Sequence, residues 1–167
     1  MLTAAGCARR KPPPAPPKPT PAAPKTEFNA AVSVSGLRWS VPDLHDRPLW
    51  EMRAGKGSST VASGLAELED VRCKVYSEGV LALEAEAPRV KADYAGKRLT
   101  LYGGVSARTT DGARRFRAER VSLHAKDRQR AVIEAAGAVR LDLDGASVEG
   151  ARLVTNPHLT EGRILGK

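Results

Sequence analysis

Apolar and polar residues alternate along most of the chain. Val80-Leu81-Ala82-Leu83-Glu84-Ala85 sets Leu81, Leu83 and Ala85 on one face. Arg98-Leu99-Thr100-Leu101-Tyr102 and Val139-Arg140-Leu141-Asp142-Leu143 follow the same rule, as do Val71, Cys73 and Val75. A period of two over such short runs predicts half-buried β-strands. Leu37, Trp39 and Val41 alternate as a first strand, which Pro42 stops. The Ala- and Glu-rich stretch from Ala62 to Asp70 has helical propensity, but it falls in step with Arg98–Gly103 and is expected to be a strand. The chain is therefore expected to be all-β.

The strands recur. Glu78-Gly79, Asp111-Gly112 and Asp144-Gly145 stand 33 residues apart, and an acidic residue before Gly between alternating runs is a tight-turn signal. Trp50, Leu83 and Phe116 keep the same step; Met52, Ala85, Ala118 and Ala151 follow two residues later. Units therefore begin near residues 50, 83, 116 and 149. One such unit cannot bury its own apolar face, so stacking of units into a continuous two-sheet wall with an elongated interior is expected. Asn156-Pro157 interrupts the last unit, and the repeat ends near Leu165, leaving an unpaired edge open to another strand.

Composition changes the picture at the N-terminus. The net charge is +8, but residues 1–26 hold Arg9, Arg10, Lys11, Lys18 and Lys25 with no acid, leaving 22 basic and 19 acidic residues beyond them. Eight of the 12 prolines lie between Pro12 and Pro24. Such a segment cannot bury enough to fold and prefers extended conformations. Residues 1–26 are expected to be a tether and 27–167 the folded domain. Leu2-Thr3-Ala4-Ala5-Gly6-Cys7 resembles a bacterial lipobox, which makes Cys7 a candidate for lipidation, with Ala4 where Leu is commoner and no charged or apolar region upstream. An untethered tail is the alternative. No run of about 20 apolar residues exists to span a bilayer.

Aromatic residues make up only 4% of the chain, and charge in the domain is nearly balanced. Neither suits nucleic-acid binding, which wants clustered bases of charge and stacking platforms. Arg114, Arg115, Arg117 and Arg120 form the densest basic cluster, able to meet phosphates or to guard an edge strand. His45, His124 and His158 lack metal-ligand spacing, Gly55-x-Gly57 lacks the rest of a phosphate loop, and no nucleophile or acid–base constellation is present. No catalysis, metal or cofactor is expected.

Several segments resemble a known family. Trp39-x-Val41 followed by Arg47-Pro48-Leu49-Trp50-Glu51-Met52-x-Ala54 is similar to the opening of the periplasmic lipopolysaccharide-export proteins LptC. Leu83-x-Ala85-x-x-Pro-x-Val90, Leu99-x-Leu101-x-Gly-Gly-Val105, Phe116-x-Ala118-x-x-Val121 and Gly137-Ala-Val139-x-Leu141 resemble the repeats of LptC and the related LptA/OstA domain. The resemblance covers about three-quarters of the chain. It implies an elongated, twisted β-jellyroll whose groove holds acyl chains of lipopolysaccharide or a related glycolipid. It also implies partners: an inner-membrane ABC transporter, and an LptA/OstA-like β-domain stacked edge to edge. The location implied is periplasmic, held at the inner membrane by an N-terminal lipid or by a segment further upstream; family members usually carry a transmembrane helix where this chain has Cys7 and its tether. The expected groove residues are Trp39, Trp50, Met52, Leu81, Leu83, Val90, Leu99, Leu101, Val105, Phe116, Val121, Leu123, Val132, Val139 and Leu141. The same side chains could instead fill the core of an envelope spacer that binds no ligand.

Overall fold

The computed structural model describes residues 31–60, 64–126 and 129–166. Their elements are nine strands: β1 (Ala31–Pro42), β2 (Pro48–Thr60), β3 (Leu65–Ser77), β4 (Val80–Asp93), β5 (Arg98–Thr109), β6 (Arg114–Lys126), β7 (Arg130–Leu143), β8 (Ala146–Thr155) and β9 (Gly162–Leu165). They form one antiparallel sheet in sequence order, with β1 and β9 at its two edges. The expected all-β jellyroll is present, built as a single unclosed sheet that rolls on itself rather than as two separate sheets. The stretch expected to be strand against its helical propensity is β3 from Leu65 onward; Ala62 and its neighbours 61–63 lie outside the described residues.

The 33-residue repeat is a strand pair. Glu78-Gly79 joins β3 to β4 and Asp144-Gly145 joins β7 to β8. Both pairs have positive φ (53° and 83°; 36° and 94°), the conformation of a two-residue type I′ hairpin, whose twist matches that of the strands it joins. Asp111 sits in the β5–β6 turn and caps it, with its carboxylate accepting from the Thr109 hydroxyl and from the Ala113 amide at 3.0 Å.

A fault line crosses the sheet and folds it over. The ladder is interrupted at one level on successive strands: Gly36 lies beside Gly55, then Asp70, Pro88, Gly103-Gly104, Glu119 and Gly137-Ala138. The register shifts by a residue between Glu86 and Arg89, between Tyr102 and Val105, between Arg117 and Arg120, and between Ala136 and Val139. Bulges of this kind bend a strand and raise its twist. At Gly103 (φ 90°) and Gly104 (φ 94°) the backbone enters a region that a side chain makes costly. At Gly137 a Cβ would stand 2.9 Å from Cβ of Glu119, so the two strands close on each other there. With every strand bent at the same level, the sheet doubles over. β7 then comes within 8 Å (Cα–Cα) of β2 and β3, although four and three strands lie between them in the sheet.

Candidate functional site

The inner face of the rolled sheet is almost wholly apolar. Before the fault line it carries Trp50, Met52 and Ala54 on β2, then Leu83, Ala85 and Ala87 on β4, and Phe116 and Ala118 on β6. Beyond it come Ala66 and Leu68 on β3, Val90 and Ala92 on β4, Leu99 and Leu101 on β5, Val121 and Leu123 on β6, and Ile133 and Ala135 on β7. The side chains of the central strands leave almost no surface open to a water-sized probe: Trp50, Leu99 and Leu101 are 0% exposed. The interior is therefore filled in this state.

The two edges differ from the centre. Leu37 and Trp39 on β1 and Ile164 on β9 point toward the core but remain half-buried. Trp39 meets Tyr94, at the end of β4, edge to face at 4.6 Å between ring centroids. Among the described residues β1 and β9 do not pair, and the half-buried Leu37, Trp39 and Ile164 make these two edges the seam of the sheet.

Most of the expected groove residues lie on this inner face: Trp50, Met52, Leu83, Val90, Leu99, Leu101, Val105, Phe116, Val121, Leu123, Val139 and Leu141 are buried, and Trp39 lines the seam. Two expectations are corrected. Leu81 is only half-buried, because the register slips between Val75 and Tyr76: Val75 pairs with Leu83 and Tyr76 with Leu81, so Ala82 is the extra residue and is buried in its place. Val132 faces outward, and Ala131, Ile133 and Ala135 take the inner face. The parity of Val139 and Leu141 carries through Gly137-Ala138 unchanged, because both residues have positive φ, and that signal points to Ile133. Leu49, Leu153 and Leu159 are buried members of the interior that alternation did not mark. Leu159 belongs to the turn between β8 and β9, whose carbonyl at His158 accepts from Arg114 Nη1 at 3.2 Å. Cys7 lies outside the described residues.

The outer face is charged and laced with ion pairs in cross-strand register. Lys56 meets Glu69 at 3.2 Å, Lys91 meets Glu67 at 3.1 Å, Arg72 meets Glu86 at 3.4 Å and Arg152 meets Glu134 at 2.9 Å. Exposed pairs of this kind add little stability but keep the face soluble. Of the basic cluster, Arg114 pairs with Asp144 at 3.6 Å and Arg115 with Asp142 at 3.7 Å. A concavity of about 580 Å³ lies on this polar side, lined by Arg53, Arg72, Glu86, Arg117 and neighbours.

Buried polar side chains are few, and most are satisfied. Asp43, in the β1–β2 turn, accepts from the amides of His45 (2.7 Å) and Arg47 (2.9 Å) and from Arg47 Nε (2.8 Å). Burial works to raise its pKa but is outweighed: these hydrogen bonds and the Arg47 charge hold the carboxyl below its usual range. Burial pushes the Cys73 thiol up to about 12, as for a small apolar core residue rather than a reactive one. The Trp50 indole N–H has no partner. An orphaned buried donor costs about 1–3 kcal/mol.

A rolled, unclosed antiparallel sheet with an apolar inside and a charged outside defines the class as a β-jellyroll. The chain matches, over residues 21–165, the family described as lipopolysaccharide-assembly, LptC-related, and it belongs to that family. The family is non-enzymatic, associated with transport, periplasmic and linked to the inner membrane, and membership gives the chain a role in lipopolysaccharide export. No curated protein matches the chain.

Proposed function

We propose that this chain accepts lipopolysaccharide or a related glycolipid from an inner-membrane ABC transporter and passes it along the apolar interior of the rolled sheet. The observation that carries this reading is the seam. Leu37 and Trp39 on β1 and Ile164 on β9, the two edges that do not pair among the described residues, are half-buried, whereas Trp50, Leu99 and Leu101 are fully buried. An unclosed sheet can part along such a line without breaking a strand–strand hydrogen bond. Acyl chains replacing the seam contacts would then be bound through the area they remove from water, with weak selectivity for length.

The free backbone groups of β1 and β9 suit edge-to-edge stacking with an LptA/OstA-like β-domain. β9 is four residues long and exposes Leu165, so it offers a short template for a partner strand. Residues 1–26 would act as a tether between the folded domain and the membrane, with lipidated Cys7 or an upstream segment as the anchor.

The filled interior favours a second reading, an envelope spacer with no ligand. The full chain titrated with fluorescent lipopolysaccharide separates the two. Saturable binding competed by unlabelled lipopolysaccharide supports the transport role. Absence of binding by a folded chain supports the spacer.

A further inference from the structure

The interior contains one polar atom that its packing does not use. Among the described residues, Trp50 Nε1 is the buried side-chain nitrogen or oxygen without a hydrogen-bond partner. The other buried polar side chains are occupied. Asp43 accepts from His45 and Arg47, the Thr109 hydroxyl bonds Asp111 and Arg114, and the Thr155 hydroxyl donates to the Glu161 carbonyl at 2.9 Å. Trp50 is held in place from both sides, in register with Val41 on β1 and Val75 on β3. It lies on the inner face one strand in from the β1 edge, covered at its own level by buried Val41 and next to the level of half-buried Trp39.

We propose that the Trp50 indole N–H donates to the carbonyl oxygen of an ester- or amide-linked acyl chain that enters the interior across β1. This rests on the reading of the interior as an acyl slot and adds its polar contact. Pure hydrocarbon offers nothing to a buried donor. A phosphate or carboxylate would have to shed far more hydration to reach it than a neutral carbonyl would. In an acyl lipid the linkage carbonyl marks the boundary between headgroup and tail. Its natural depth is therefore just inside the seam, with the tail running on over the apolar face and the headgroup left outside. A donor one strand from the edge stands at that depth.

The test uses the full chain with its two tryptophans labelled with nitrogen-15 in the indole ring, so that Trp39 serves as an internal reference. The ligands are a lysophospholipid with an ester-linked lauroyl chain and its ether-linked counterpart, which lacks the carbonyl. The Trp50 indole proton is expected to shift downfield with the ester and not with the ether. The ester should bind roughly threefold to tenfold tighter, the worth of one net hydrogen bond. Trp50→Phe should abolish that preference. The wild-type comparison stands alone if the variant fails to fold. Equal binding of ester and ether, or the same Trp50 shift with both, overturns this inference and leaves the acyl slot standing. Binding of neither overturns the slot and this inference together.

Discussion

Asp43 shows how one side chain can hold a turn at the end of the interior. Its carboxylate, 4% exposed, gathers two backbone amides and the Arg47 guanidinium, so it fixes the reversal from β1 into β2 just before Trp50. Its folded pKa lies below the unfolded one, so its contribution is complete above the ordinary carboxylate range and is lost as pH falls through the folded value. Asp43→Asn should lower the thermal midpoint at neutral pH, and the gap from wild type should close in acid; scans across that range check it. At Cys73, burial keeps the thiol protonated at any physiological pH. In a Cys7→Ser background, alkylation of native protein at pH 8 should be negligible and should appear in step with unfolding, as mass spectrometry along a urea series would show. The burial of Cys73 was legible from its alternation with Val71 and Val75. The role of Asp43 was not, because an Asp in a Pro-flanked loop reads the same whether its carboxylate is solvated or satisfied by local amides.

Among the elements, the sequence displayed its strands and hairpins but hid its bends. The acidic-Gly pairs at 78–79 and 144–145 announce type I′ turns through residue type alone. The fault line is also written in the sequence, since Asp70, Gly103 and, one residue later, Gly104 and Gly137 keep the 33-residue step. Read as part of a motif, those glycines say nothing about where the ladder breaks. The extra residue at Ala82 changes which residues face inward, and that is why Leu81 was misplaced while Leu99 and Leu101, on an uninterrupted stretch, were not; Val132 is off the parity that Val139 and Leu141 set, which runs through Gly137-Ala138 to Ile133. If the bends shape the interior, Gly104→Val should destabilise the domain by about 1–3 kcal/mol, because Val resists positive φ. The loss is measured as the shift in the urea midpoint. Leu101→Ala removes a fully buried side chain and should cost about 2–5 kcal/mol. The equivalent change at outward-facing Thr100 should cost far less, which separates packing from strand propensity.

For the whole molecule, the decisive feature is that nine strands bend and roll without closing. Closure would satisfy both edges and seal the core. Leaving β1 and β9 unpaired among the described residues keeps half-buried apolar side chains at both edges and keeps two templates for neighbouring strands. The repeat made a stacked β-wall legible. The two-sheet wall it pointed to is instead one sheet rolled over, because the fold depends on a row of local distortions rather than on period or composition. The central claim is that this interior admits acyl chains, and photo-crosslinking tests it most directly. A photo-reactive residue is placed at Leu101 or Phe116 on the inner face, and at Arg98 on the outer face as control, and each protein is irradiated with lipopolysaccharide. The account predicts saturable crosslinking at the two inner positions and none at Arg98. A folded protein that crosslinks at neither inner position, or equally at all three, would contradict it.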